Sequence, residues 1–482
     1  MREPTLVQQL AEFSASVTFT SLPPAVVSSI KNRLLDTIGV CLAAVPLETS
    51  RMAVQLAAGW GAADEATVIG FPHRLSTGAA AFVNGVLAHT LDFDDTHLPS
   101  VLHPSATILP VALAVAESTG AASEEMLAAA AVGYEVCIRT GMAGYDRTLG
   151  NSVFFEHGWH ATSICGTLAG AAVAAKLYGL DVTGIGNALG IAASMASGIL
   201  EGNRVGGTVK RLHCGWAAHA GIGAAQAARA GFTGPASALE GRFGFYRAFC
   251  RGFLDSEEIT RGLGSEWSIP AIFFKPYPAN HFTHAGIDAA IALREVVALD
   301  QIASIELRVP AAVLRTIAEP AMSKARPQTG YQAQFSGPFT VAAALSGGTG
   351  LGLYLDDLTD ARVHDEQVLQ LAAKVRCIAD SECDAIFPIQ FPAILRIRTR
   401  DGAVHERKVL ANRGGERNPL SAAELELKFT LNASRTVAPG CVAELAVLIQ
   451  SIESHSIRRL MGLTQPTSHA DARDAMVQTT QP

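Results

Sequence analysis

From Pro24 to about residue 230, apolar residues return every three to four positions, and Ala and Gly fill many of the places between them. That period is the mark of helices with one buried face. Val27, Ile30, Leu34, Ile38, Cys41 and Leu42 define the first such face, after a start signal at Ser21-Leu22-Pro23-Pro24. The same texture runs through 76–91, 104–119, 124–142, 160–178, 184–200 and 215–230, broken by turns containing Gly or Pro. Side chains this small let helix backbones approach closely, so the first 265 residues or so are expected to be all-helical. Charged residues make up only 17% of the chain, against a usual ~25%. With 482 residues there is room for a large core and more than one domain.

After Pro270 the pattern changes. Ser304 to Val309 alternates polar and apolar, as does Ile394 to Arg400, and Asp401-Gly402 suits a tight hairpin returning through Val404 to Val409. With a further strand at 375–379 and helices near 332–346 and 365–373, this region reads as α+β. Ser421 and Glu424 form a capping-box pattern before another apolar run. The expected organisation is a helical domain over 1–268, an α+β domain over 269–410, a helical segment over 411–463 that rejoins the first domain, and a mobile tail over 464–482. The fold class is mainly α with α+β.

Net charge is −7, from 37 Lys and Arg against 44 Asp and Glu, and no basic block is present. This leaves no electrostatic footprint for nucleic acid or for an anionic membrane. An anionic substrate would need a few local cations working against the overall field. Eight scattered Cys without a CxxC pair suggest free thiols in a reducing compartment. The start, MREPTLVQQLAEF, carries polar residues where a signal peptide needs an apolar run, so a cytoplasmic location is expected. Val182 to Leu200 is uncharged but interrupted by Thr, Asn, Ser and Gly, and reads as a buried helix rather than a membrane span.

Against this sparse background the ionisable residues cluster. Asp92, Asp94, Asp95, Thr96 and His97 precede His103-Pro104. Three carboxylates so close must be solvated, bound to a cation or given separated pKa values; a polar loop capping the next helix is the plainer reading. His103, next to a helix start, can exchange protons with an anion held there. Glu156, His157 and His160 also precede a helix, as a metal half-site or as one acid/base His with a structural neighbour. Residues 202–213 are Gly-rich and end in Lys210, Arg211 and His213, but lack the Gly-Lys-Ser/Thr of a P-loop. Lys275, beside Ile272, Phe273 and Phe274, would be costly to bury without an anion. One alternative class is a metal-dependent hydrolase with Asp94, Asp95, His97, His157 and His160 as ligands.

Taken in order and spacing, several motifs resemble the MmgE/PrpD family: Leu91-Asp92-Phe93-Asp94-Asp95-Thr96-His97 with His103-Pro104, Gly133-Tyr134-Glu135, Gly158-Trp159-His160, Val209-Lys210-Arg211, Gly234-Pro235, Lys275-Pro276-Tyr277-Pro278 with His284, and Asn418-Pro419-Leu420-Ser421. The resemblance implies a large helical domain built from both chain ends, a smaller α+β lid domain, a homodimer, and a site between the domains that uses neither metal nor cofactor. It implies catalytic roles for Asp92, His103, His160, Lys210 and Lys275, and substrate contacts from Thr96, Lys210 and Lys275, with Arg211, His284 and Tyr331 as further candidates. The reaction it implies is lyase chemistry on a citrate-like tricarboxylate. Dehydration of 2-methylcitrate is the first expectation, and decarboxylation of cis-aconitate or epimerisation of iminodisuccinate on the same residues the alternative. Charge built up beside a carboxylate would be stabilised by the lysines, and the histidines would move protons.

Overall fold

A computed structural model describes residues 3–202 and 207–466. Asn203 to Gly206 of the Gly-rich stretch, and residues 467–482 of the expected tail, lie outside the described residues. The protein is mainly helical with a smaller α+β part. The described residues form two compact units, one made of those up to 272 with 429–466 and one of residues 273–428.

The first unit is built on helices Pro24–Ala44, Thr77–Thr90, Ser105–Thr119, Ser123–Met142, Ala161–Leu177 and Val209–Arg229. Most of their Ala, Val, Leu and Ile side chains are buried. The small residues act as the sequence suggested. A Cβ added at Gly215 would stand 2.3 Å from the Phe82 carbonyl oxygen, and one at Gly85 would stand 2.9 Å from Gly215 Cα. Helices Thr77–Thr90 and Val209–Arg229 therefore meet backbone to backbone, which brings the end of one and the start of the other to the same region. The expected helix over 184–200 is Val182–Met195 and ends short. The following loop carries Gly198, at φ +125°, where its carbonyl accepts from the His160 amide at 3.0 Å.

In the second unit a four-stranded sheet contains β1 (Ile302–Val309), β2 (Val375–Ala379), β3 (Ala393–Thr399) and β4 (Val404–Val409), in the order β2-β1-β3-β4. β1 pairs parallel to β2 and antiparallel to β3, and β3 and β4 form the hairpin with Arg396 opposite Glu406. Inward residues Ile305, Leu307, Val309, Leu395 and Ile397 pack on helices His284–Arg294 and Gly337–Leu345 through a shared core.

The expected boundary at residue 411 is corrected. Residues 411–428 belong with the second unit, and the return to the first falls at Phe429, inside helix Ala422–Ala433. The reason is polar rather than helical. Arg413 donates to the Tyr277 hydroxyl and to the Leu351 carbonyl, and it pairs with Glu424. Gly414 accepts from the Phe274 amide. The capping box does form, with Ser421 N donating to Glu424 at 2.7 Å and Glu424 N donating to Ser421 Oγ. All eight cysteines are free. Among the described residues no single helix is long and apolar enough to cross a membrane.

Candidate active site

Residues 92–103 leave helix Thr77–Thr90 and lead into helix Ser105–Thr119. Two residues in this stretch, Asp92 at φ 52° and Val101 at φ 54°, have left-handed backbones. Asp tolerates that region, whereas a β-branched residue there is strained and must be held in place. A pair of backbone bonds between His97 and Leu102 does the holding. The three carboxylates take separate partners. Asp92 accepts from Lys210 Nζ at 3.2 Å, and Asp94 accepts from His89 Nδ1 at 2.7 Å. Asp95 receives Arg33 at 2.8 Å and the Ser105 amide at 3.1 Å, so it also caps the helix that starts there. Burial pushes the Asp95 carboxyl up, opposed by Arg33 and by its bonds from Ser105.

Four imidazoles lie beside these carboxylates. His103 Nδ1 is 2.8 Å from the Asp95 carbonyl oxygen, which can only accept, so Nδ1 carries a proton and Nε2 is the basic nitrogen of the neutral ring. Thr96 Oγ1 lies 3.2 Å from the same Nδ1. The His89 ring is 5.2 Å from that of His103 and 5.3 Å from that of His160, and His160 Nδ1 meets His213 Nδ1 at 3.0 Å. Two imidazole nitrogens that close can share only one proton, so the His160–His213 pair is not doubly charged. In agreement, His160 is held well below the usual imidazole range by burial, then by His89, Lys210, His213 and His103. Burial, His89 and Lys210 likewise push His213 down to about 4.

Asp92, Thr96, His103, His160 and Lys210 are thus brought together in the first unit. Arg211 turns to another partner, donating to Thr49 Oγ1 at 3.3 Å. In the second unit Lys275 is 1% exposed. His284 Nε2 donates to the Ala279 carbonyl at 3.0 Å and its ring lies against Tyr277, while Tyr331 packs on Phe335. The hydrolase ligand set is not assembled. Asp94 is taken by His89, Asp95 by Arg33, His97 by Ser100 and His160 by His213, and His157 sits at the end of a short helix. Among the described residues no three His, Cys, Asp or Glu side chains group as metal ligands would.

Sequence reasoning missed His89 as a member of this cluster, and it named His213 without assigning it a role. The signal was spacing: His213 is one helical turn beyond Lys210, and His89 one turn before Asp92.

The buried neutral imidazoles predict acid lability. Burial and then Arg33 lower His97 from 6.5 to about 4. Between those values the unfolded chain binds the proton and the folded one does not, so stability falls as pH drops from 6.5 towards 4. His97 alone accounts for roughly 3 kcal/mol of that loss, and His160 and His213 act with the same sign. Thermal melts from pH 7 to 4.5 should show a steep drop in Tm, and a flat profile would contradict the neutral forms of His97, His160 and His213.

A mainly helical unit, whose expected all-helical run is interrupted by two short hairpins at 66–75 and 145–152, carries a buried cluster of carboxylates, imidazoles and Lys210 and is joined in sequence to an α+β unit; this defines the class of chain. The model of the MmgE/PrpD N-terminal domain matches residues 8–257 and that of the MmgE/PrpD C-terminal domain matches residues 277–454, so the chain belongs to the MmgE/PrpD family. It is 31% identical over 447 residues to cis-aconitate decarboxylase of Homo sapiens, covering 90% of this chain and 88% of that one. The corresponding figures are 29% identity, 90% and 87% for cis-aconitate decarboxylase of Mus musculus. They are 27%, 96% and 97% for the cis-aconitate decarboxylase-like protein oryM of Aspergillus oryzae.

Proposed function

We propose that this protein is a lyase acting on a citrate-like tricarboxylate without a cofactor, and that its reaction is decarboxylation of a cis-aconitate-type substrate. The observation that carries the reading is the convergence of Lys210 and of His103, whose basic nitrogen is assigned by its partners, on one buried cluster. Loss of CO2 from carbon next to an unsaturated carboxylate leaves an electron pair delocalised onto that carboxylate. A cation must stabilise the charge, and an acid must then return one proton to carbon. Lys210 supplies the cation, exchanging Asp92 for a substrate carboxylate. His103 Nε2, when protonated, supplies the acid. Lys275 and Tyr331 enter as substrate ligands through the family resemblance, and a homodimer through the same resemblance. Dehydration of 2-methylcitrate, the first expectation from sequence, would use the same cation and acid, the acid protonating the departing hydroxyl. The activities of the similar chains weigh the choice towards decarboxylation.

Proton NMR of the purified protein with cis-aconitate, 2-methylcitrate, citrate and iminodisuccinate, each alone, tests this. The expected result is conversion of cis-aconitate to a methylene-bearing dicarboxylate with release of CO2. Water loss from 2-methylcitrate instead would replace decarboxylation by dehydration. Inversion of iminodisuccinate, or no change in any of the four, would remove the tricarboxylate lyase. Lys210→Ala is expected to raise KM for the tricarboxylate about 10- to 100-fold, the value of a charge-assisted hydrogen bond of about 1.5 to 3 kcal/mol. Unchanged kinetics would take Lys210 out of the site.

A further inference from the structure

His89 is a polar group that the proposed chemistry leaves without a task. Its side chain is wholly buried, and Nδ1 is spent on Asp94 at 2.7 Å. Among the described residues no group reaches Nε2, which is buried as well. An unsatisfied buried nitrogen is uncommon in a folded protein and calls for an explanation. Its Nδ1 faces the Asp94 carboxylate, and the ring lies in the last turn of the 14-residue helix Thr77–Thr90, towards which the carbonyl dipoles point their negative ends. The His103 and His160 rings lie 5.2 and 5.3 Å away, and His103 is the proposed acid.

We propose that His89 is a further substrate-binding donor: with Asp94 on Nδ1–H, its imidazolium presents Nε2–H to an oxygen of the bound polycarboxylate. The inference rests on the polycarboxylate reading and deepens it. It places a fixed, charge-assisted donor where negative charge gathers, beside the imidazole that delivers the proton. Because the His89 proton stays on the ring throughout, the donor stabilises without being consumed. The titratable groups against His89 include Asp94, His103 and His160, of which Asp94 is the anion.

Two isosteric variants separate this role from packing. In His89→Asn the amide nitrogen replaces Nδ1 and keeps the bond to Asp94, but nothing replaces Nε2. In His89→Gln the amide reaches the Nε2 position. The prediction is that Asn loses about 10²-fold in kcat/KM for cis-aconitate, the usual cost of one oxyanion-type donor, and binds the saturated analogue tricarballylate at least tenfold more weakly. Gln should recover part of both. Asn within twofold of wild type would assign His89 to structure alone. Nitrogen-15 NMR of the wild-type histidines gives an arm independent of turnover: both ring nitrogens of His89 should be protonated at pH 7, and a lone pair at Nε2 would overturn the proposal even if neither variant folds. If wild type turns over none of the four acids, the functional reading fails, and the NMR still decides the state of His89.

Discussion

Arg33→Ala is expected to destabilise the first unit by about 3 to 5 kcal/mol, the usual consequence of leaving a buried charge without its partner. Arg33 and Asp95 side chains are 0% and 1% exposed and meet at 2.8 Å. The other end of the guanidinium donates to the carbonyls of Ile269 and Ile272 at 3.1 and 2.7 Å. Truncation therefore removes the cation beside Asp95, which keeps its bonds from Ser105, and takes a donor from two carbonyls at once, next to the loop that holds His103. A melt should show the loss directly, and a Tm within a few degrees of wild type would mean that Asp95 has taken up a proton or found another donor. Asp95→Asn is the companion test. It keeps one oxygen to accept from Arg33 at the Oδ2 place but turns an NH2 towards the Ser105 amide, so it removes the charge and one bond to the helix start and leaves a buried cation in place of a buried anion. Its cost should approach that of Arg33→Ala, whereas a melt matching wild type would mean that neither the charge nor that bond holds the loop.

Arg33 also shows where the sequence stops being informative. The strands at 375–379 and 404–409 and most of the helix bounds follow from period and capping, because those signals are local. The role of Arg33 is not local. In the chain it stands between Lys31-Asn32 and Leu34-Leu35, and only the fold shows that its partner is 62 residues away. The same holds for the three aspartates. Their crowding was visible, but assigning Asp92 to Lys210, Asp94 to His89 and Asp95 to Arg33 required three partners from three different helices. The boundary at Phe429 was hidden for a related reason. A helix that starts in one unit and ends in another has an unbroken apolar pattern, and the bonds that tie 411–421 to the second unit are made by single residues such as Arg413. The glycines were more legible. Their abundance pointed to close helix contact, and the Gly85 and Gly215 crossing is that contact.

His103→Ala is expected to lower kcat for the tricarboxylate by roughly 10² to 10⁴, the range for losing a positioned acid or base, with little change in Tm. The separation is possible because His103 binds in two ways. Its backbone amide donates to Thr162 Oγ1 at 3.1 Å, a bond that survives truncation, whereas the ring is held at Nδ1 by the Asp95 carbonyl and by Thr96. Losing those ring contacts removes an orientation more than a support. Thr96→Val provides the graded control. It takes away the 3.2 Å contact but leaves the carbonyl that assigns the proton to Nδ1, so the ring keeps its tautomer and should lose less than tenfold in kcat. The pH dependence of kcat separates the roles further. If His103 must carry a proton on Nε2 to deliver it to carbon, the wild-type rate falls as pH rises through its pKa, and that alkaline limb vanishes in the Ala variant along with most of the rate. A loss below tenfold, with the limb intact, would assign His103 to shaping the turn before Pro104 and would move the acid to the His160 and His213 pair. That pair shares one proton at Nδ1 and is held neutral by its surroundings, so it would have to work from the opposite edge of the ring.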